Sequence, residues 1–176
     1  MAIEINEVSS PEFFISRHFI AYPLGGGSYT IVRSGIVLLP NESQAEAEGA
    51  GRRWTPSGFR GTSESDWRGE TVSLKLDLNR SVARLHPPNT LPPGYYWAFV
   101  MDQWAPIASL NSIYNSGVSN YAGSSVNTFT VTQQQDYDNS VWLNMDIAVR
   151  DADGYLYRIG FYITLVGHLA EQRQIS

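Results

Sequence analysis

Val141-Trp142-Leu143-Asn144-Met145-Asp146-Ile147-Ala148-Val149 puts an apolar side chain at every odd position. Trp142, Asn144, Asp146 and Ala148 take the even ones. A period of two marks a strand with one face on a core, because successive side chains leave a pleated backbone on opposite sides. Tyr155 to Leu165 repeats the pattern through Tyr155, Tyr157, Ile159, Phe161, Ile163 and Leu165. Thr71 to Leu78 does so through Val72, Leu74, Leu76 and Leu78. Further strands are expected at 2–8, 12–22, 28–39, 82–86, 95–104 and 126–134, where β-branched and aromatic residues are bounded by Gly, Pro, Asn or Ser. The expectation is an all-β chain, an antiparallel β-sandwich or jelly roll of about nine strands, with a closed β-barrel as the alternative.

One helix is expected near 106–115. Pro106 suits a first helical position, Ile107, Leu110, Ile113 and Tyr114 recur at helical spacing, and Gly117 would end the turn. Gly25-Gly26-Gly27-Ser28 reads as the turn between strands 12–22 and 28–39. Asp151-Ala152-Asp153-Gly154 reads as a hairpin connection between the last two long strands. Both of those strands carry their apolar faces on odd numbers, so that hairpin needs an odd connection and hence a bulge. Asn144, Asp146, Arg158, Tyr162 and His168 would then share one polar face. It is a candidate ligand pocket if it lines a barrel, and an ordinary solvated face if it does not.

The 176 residues hold 12 basic and 17 acidic side chains, for a formal charge of −5, and 43% are apolar. That composition supports one β domain over 1–176 with a sizeable core. Its acidity disfavours general adhesion to nucleic acid, which is not an expected partner, or to anionic lipid. The sequence has no 18-residue apolar run, so no helical membrane partner is expected. The N-terminus lacks a basic region followed by an apolar one, which implies synthesis in the cytoplasm, with incorporation into a particle as an option. Cysteine is absent, which removes thiol catalysis and thiolate metal sites. No Gly-x-Ser-x-Gly occurs, and Gly25-Gly26-Gly27 lacks the following Lys-Ser/Thr of a phosphate loop. His18, His86 and His168 form no ligand pair by spacing. The acidic clusters at 136–139 and 151–154 flank one strand and would lie roughly 30 Å apart, too far to share a calcium ion. The reading is no metal and no cofactor, with a non-enzymatic role preferred over catalysis.

The stretch from about 40 to 69 has no periodicity and reads as a long irregular loop, unusual inside a compact domain. It carries Arg52, Arg53, Trp54, Phe59, Arg60, Trp67 and Arg68, residue types enriched at interface hot spots. A second aromatic-rich region sets Trp97, Trp104 and Tyr114, with Tyr95, Tyr96 and Tyr121, among Asp102, Gln103, Asn115 and Asn120. Rings stack on sugar faces while carboxylates and amides bond hydroxyls. The run Leu91-Pro92-Pro93-Gly94-Tyr95-Tyr96-Trp97-Ala98-Phe99-Val100, with Pro106-Ile107-Ala108-Ser109, resembles part of the C-terminal immunoglobulin-like domain of galactose-oxidase-type proteins. The copper histidines and propeller of that family have no counterpart here. The resemblance implies a β-sandwich and nothing about activity.

Three functions follow as expectations. The first is a non-enzymatic structural protein that self-assembles through its sandwich surfaces and its Arg/aromatic loop, as a viral capsid or other virion subunit does. Its partners would be further copies or other subunits. The second is a carbohydrate-binding module or lectin with a glycan at Trp97, Asp102, Trp104 and Tyr114. The third is a cofactor-free β-barrel that binds or cyclises a small apolar molecule, with Asp146 or His168 as acid–base groups.

Overall fold

The computed structural model describes residues 3–40, 58–60, 67–78, 82, 84–115, 123–134, 140–150 and 155–173, with backbone alone at 60, 103–115, 123–134, 149, 150 and 155. Its strands are β1 (Ile3–Asn6), β2 (Phe14–Gly25), β3 (Ser28–Leu38), β4 (Phe59–Arg60), β5 (Trp67–Asp77), β6 (Tyr95–Asn115), β7 (Gly123–Gln134), β8 (Ser140–Arg150) and β9 (Tyr155–Arg173). They form two sheets. Sheet A is four-stranded in the order β1-β5-β8-β7. Sheet B is five-stranded in the order β2-β3-β9-β4, with β6 also paired to β9. The all-β class holds, and the closed barrel does not, because the strands divide between two separate sheets.

One apolar core joins the two sheets. Val72, Leu74, Leu76, Leu143 and Met145 of sheet A meet Ile31, Val37, Phe161, Ile163 and Leu165 of sheet B in a single cluster. The period-two face read from the sequence is the face that packs: Val141, Leu143, Met145 and Ile147 are buried, whereas Trp142, Asn144 and Asp146 are only partly covered. Each fully buried aliphatic side chain contributes about 1.5–3 kcal/mol.

Five expectations fail. Strands β8 and β9 form no hairpin. β8 pairs with β5 and β7, while β9 pairs with β3, β4 and β6. Alternation shows which face is apolar but not which strand lies beside it. The helix near 106–115 is instead the second half of β6, where Ile107, Ala108, Ser109, Leu110, Ile113 and Tyr114 oppose β9. Pairing along a 19-residue neighbour overrides the local helical spacing. Pro106 sits in the register break between Gln103 and Ile107, where a missing N–H is tolerated. In place of the strand expected at 82–86, Val82 and Arg84 are helical, with Val82 N donating to Leu78 O at 2.9 Å and Leu85 N to Val82 O at 3.0 Å. Finally, the pairing is not wholly antiparallel, because β1 runs parallel to β5. The loop expected to 69 also ends early, as Trp67 already begins β5.

A buried polar joint crosses between the sheets. Arg33 of β3 donates through Nη2 to Glu7 Oε1 at 2.6 Å and through Nη1 to the Asp77 carbonyl at 2.8 Å. The Asp77 backbone N–H donates to Glu7 Oε2 at 2.8 Å. Arg17 Nη1 approaches the same carboxylate at 3.8 Å. Both oxygens of Glu7 are therefore engaged, as a buried charge requires.

Candidate functional site

The sequence-derived polar pocket does not assemble. Asn144 and Asp146 lie on the outer face of sheet A, between buried Leu143, Met145 and Ile147. Arg158, Tyr162 and His168 lie on β9 in sheet B, where Ile159, Phe161 and Ile163 are the buried residues. The two groups stand on different sheets with the core between them. The barrel reading, with Asp146 or His168 as acid–base groups in an enclosed site, loses both its enclosure and its cluster.

Each half finds other company. Thr71 Oγ1 donates to Asp146 Oδ1 at 2.8 Å, and Ser73 Oγ donates to Asn144 Oδ1 at 2.6 Å. These are cross-strand pairs in direct register, Thr71 opposite Asp146 and Ser73 opposite Asn144. One rung further, the Lys75 ammonium lies 5.5 Å from the Trp142 ring centre. In sheet B, His168 Nδ1 lies 2.5 Å from Asp102 Oδ1. Sequence reading placed these two residues in different candidate sites, because 66 positions separate them. The pair is about 40% exposed on both sides, at 41% and 38%, so water solvates it and screens it.

The interface loop is only partly in view. Arg52, Arg53 and Trp54 lie outside the described residues, and Arg60 is placed only as a β4 position opposite Tyr155. Phe59 is a correction: it is 1% exposed, packed in the core, and not available to a partner. The Arg68 guanidinium stacks 4.3 Å from its ring centre and covers it. Trp67 stands exposed at the start of β5.

The proposed sugar contacts also separate. Trp97 is half-buried, and its indole N–H donates to the Asn89 carbonyl at 3.0 Å. Asp102 is engaged by His168. Trp104 falls in the β6 register break, and Tyr114 opposes Arg158; their side chains are outside the described set. The acidic clusters at 136–139 and 151–154 lie outside the described residues too. Among the described residues no group of three or more histidines and carboxylates gathers as a metal site, and no helix is long and apolar enough to cross a membrane.

Alternation alone did not reveal the most exposed apolar surface. Strand β2 has β3 on one side and ends the order of sheet B. Its Phe19 and Ala21 pack toward the core. Ile15, Ile20, Tyr22 and Leu24 keep between 47% and 58% of their surface exposed. Register extends this surface across the sheet. Ile20 opposes Val32, which opposes Thr164; Tyr22 opposes Thr30, which opposes Val166. His18, Ser34 and the exposed Tyr162 form the next row. The signal was present in the sequence as a strand whose even positions, Ile20 and Tyr22, are as apolar as its odd ones.

No family model, curated protein or solved structure matches this chain. The short likeness of residues 91–109 to a galactose-oxidase-type domain therefore has no longer match behind it, and function has to be argued from these surfaces.

Proposed function

We propose that the protein works by contact and not by bond-making, as a structural subunit that associates with further copies of itself through β2 and the adjoining outer face of sheet B. The observation that carries this reading is the exposure of Ile15, Ile20, Tyr22 and Leu24 along a 12-residue edge strand. A free edge offers unpaired N–H and C=O groups, and natural edges are usually short, bulged or charged. Among the described residues the other edges follow that rule, β7 through the register shift between Val126 and Phe129 that interrupts its 12 residues. β1 has four residues and β4 has two. β6 is broken by register shifts and Pro106. In β2 the irregularities sit at the ends, between Phe14 and Ser16 and, beside Pro23, between Pro23 and Gly25, and leave Ser16 to Tyr22 regular.

An antiparallel edge is complementary to itself, which favours a second copy as the occupant. With Ile20 on the two-fold axis, His18 would face Tyr22 and Arg17 would face Pro23, so no like charges meet. A jelly-roll-like subunit of a capsid or other shell is the larger form of this proposal. It requires a second, heterologous contact, for which Trp67 and the arginine-rich residues around 52–68 are the candidates.

Light scattering at micromolar concentration tests the reading. Wild type should be a dimer or larger, and Ile20→Lys should weaken association at least tenfold while circular dichroism shows the fold intact. A monomeric wild type, or an assembly unmoved by Ile20→Lys, would overturn it.

A further inference from the structure

At the end of sheet B remote from the β8–β9 connection, the chain builds an open groove of about 610 Å³. The residues before β6 form one wall, with Pro87, Pro88, Asn89 and Leu91; Tyr95 and Trp97 at the start of β6 supply the rings. Its shape is fixed by the sequence. Pro92-Pro93-Gly94-Tyr95 closes a turn with Tyr95 N donating to Pro92 O at 3.1 Å, and Gly94 takes the positive φ of 83° that such a turn needs at its third position. The Trp97 indole N–H ties the wall to the strand through the Asn89 carbonyl. Four prolines with fixed φ leave little conformational entropy to lose on binding.

We infer that this groove is a binding site for a neutral oligosaccharide, held by stacking on Tyr95 with Trp97 as the inner wall. Three observations select that ligand class. No charged side chain is among the residues lining the groove, so nothing there attracts an acidic or basic ligand. Glu171 and Arg173, which oppose Trp97 and Tyr95 in register, are of opposite sign and outside the lining. The second observation concerns donors. A proline-rich peptide is recognised by an aromatic groove whose Trp and Tyr donate to its carbonyls. Here the Trp97 N–H is spent on Asn89, and the Tyr96 hydroxyl donates to Gln172 Oε1 at 3.0 Å. Two of the three ring donors in the groove are thus engaged within the chain, whereas the ring faces remain, and stacking on a sugar ring needs only the face. Third, Tyr95 is 46% exposed and is the ring within the groove most open to solvent. Asn89 and Thr90 add an amide and a hydroxyl for sugar hydroxyls.

The inference is independent of self-association, because the groove lies beyond the Ile20 patch and is complete within one chain. The test is a glycan array, followed by calorimetric titration with cellohexaose, xylohexaose, mannohexaose and maltohexaose. Decaproline and a sialylated glycan serve as competing probes. Binding of at least one neutral hexasaccharide is expected, weakened tenfold or more by Tyr95→Ala and unchanged by Tyr22→Ala, which is exposed elsewhere. Tyr95→Ala removes an exposed ring, so the variant should keep the wild-type melting temperature. No neutral glycan binding, preference for decaproline or for the acidic glycan, or undiminished binding by Tyr95→Ala would each overturn the inference.

Discussion

The outer faces of the two sheets solve the same problem differently. On sheet A, polar groups meet polar partners across the ladder: Thr71 with Asp146, Ser73 with Asn144, and the Lys75 cation over Trp142. One group is left over, the buried indole N–H of Trp142, which has no partner. On sheet B, the corresponding rows present Ile20 beside Val32 and Tyr22 beside Thr30 and Val166, with Tyr162 nearby. Apart from that indole, the polar ladder satisfies its own groups. A face of exposed aliphatic and aromatic residues lowers its free energy by covering itself, at about 25 cal/mol per Å² of apolar area. The two faces differ in kind: sheet A pairs polar groups across its strands, and sheet B leaves aliphatic and aromatic side chains exposed.

The largest expected effect comes from breaking the joint that holds the two faces back to back. Glu7→Ala leaves Arg33 buried without its carboxylate, and one-sided removal of a buried pair costs about 3–5 kcal/mol. Urea denaturation should show the midpoint falling accordingly. Glu7→Leu combined with Arg33→Met should recover only part of the loss, because the apolar side chains remove the buried charge but take away the partners of the Asp77 N–H and C=O. A loss under about 1 kcal/mol in Glu7→Ala would mean that water reaches Arg33 and that the joint is not the link described above.

This joint also marks what a sequence can show. The strands at 71–78, 141–149 and 155–165 were legible because alternation is local. The Glu7–Arg33 and Arg33–Asp77 bonds span 26 and 44 positions, and no local pattern announces them. The same limit explains the failed polar pocket: Asp146 and Arg158 lie close in the chain, but the connection between their strands changes sheets. β6 was misread for a different reason. Ile107, Leu110, Ile113 and Tyr114 fit a helix, and only the long partner β9 decides for a strand. In the 95–121 region the sequence drew attention to the aromatic residues, and Tyr95 and Trp97 among them line the groove. It could not show that Asp102 is engaged by His168 or that Asn89 anchors Trp97. The Arg/aromatic loop was overvalued at Phe59, whose ring is needed by the chain's own core.

An intermediate effect should fall on sheet B alone. Gly35 lies on the inner side of β3, where an added Cβ would collide with the Ser16 carbonyl of β2 and stand 2.8 Å from the Phe161 ring. Backbone cannot yield as a flexible side chain does, so Gly35→Ala should cost about 1–3 kcal/mol, typical of overpacking. Hydrogen exchange should locate the damage. Amides of β2 and β3 lose protection first, because the collision pushes β2 away from β3, while β8 amides keep theirs until global unfolding. Self-association should weaken in parallel, since Ile20 and Tyr22 move with β2. Uniform loss of protection across both sheets would show instead that they unfold as one unit and that the β2 edge has no separate stability.

The smallest expected effect is on sheet A, and it sharpens the contrast. Thr71 and Asp146 are partly exposed, and a hydrogen bond to a charged group in that setting is worth about 1.5 kcal/mol or less after competition with water. A double-mutant cycle with Thr71→Val and Asp146→Ala isolates the pair, because Asp146 also interacts with other neighbours and the single variant would include them. The coupling should be no more than about 1 kcal/mol and should decrease in high salt, since a charged partner at the surface is screened. Neither substitution should change the oligomeric state. If Asp146→Ala dissociated the assembly as Ile20→Lys is expected to, the polar ladder would itself be an interface, and the division of labour between the two faces would be wrong.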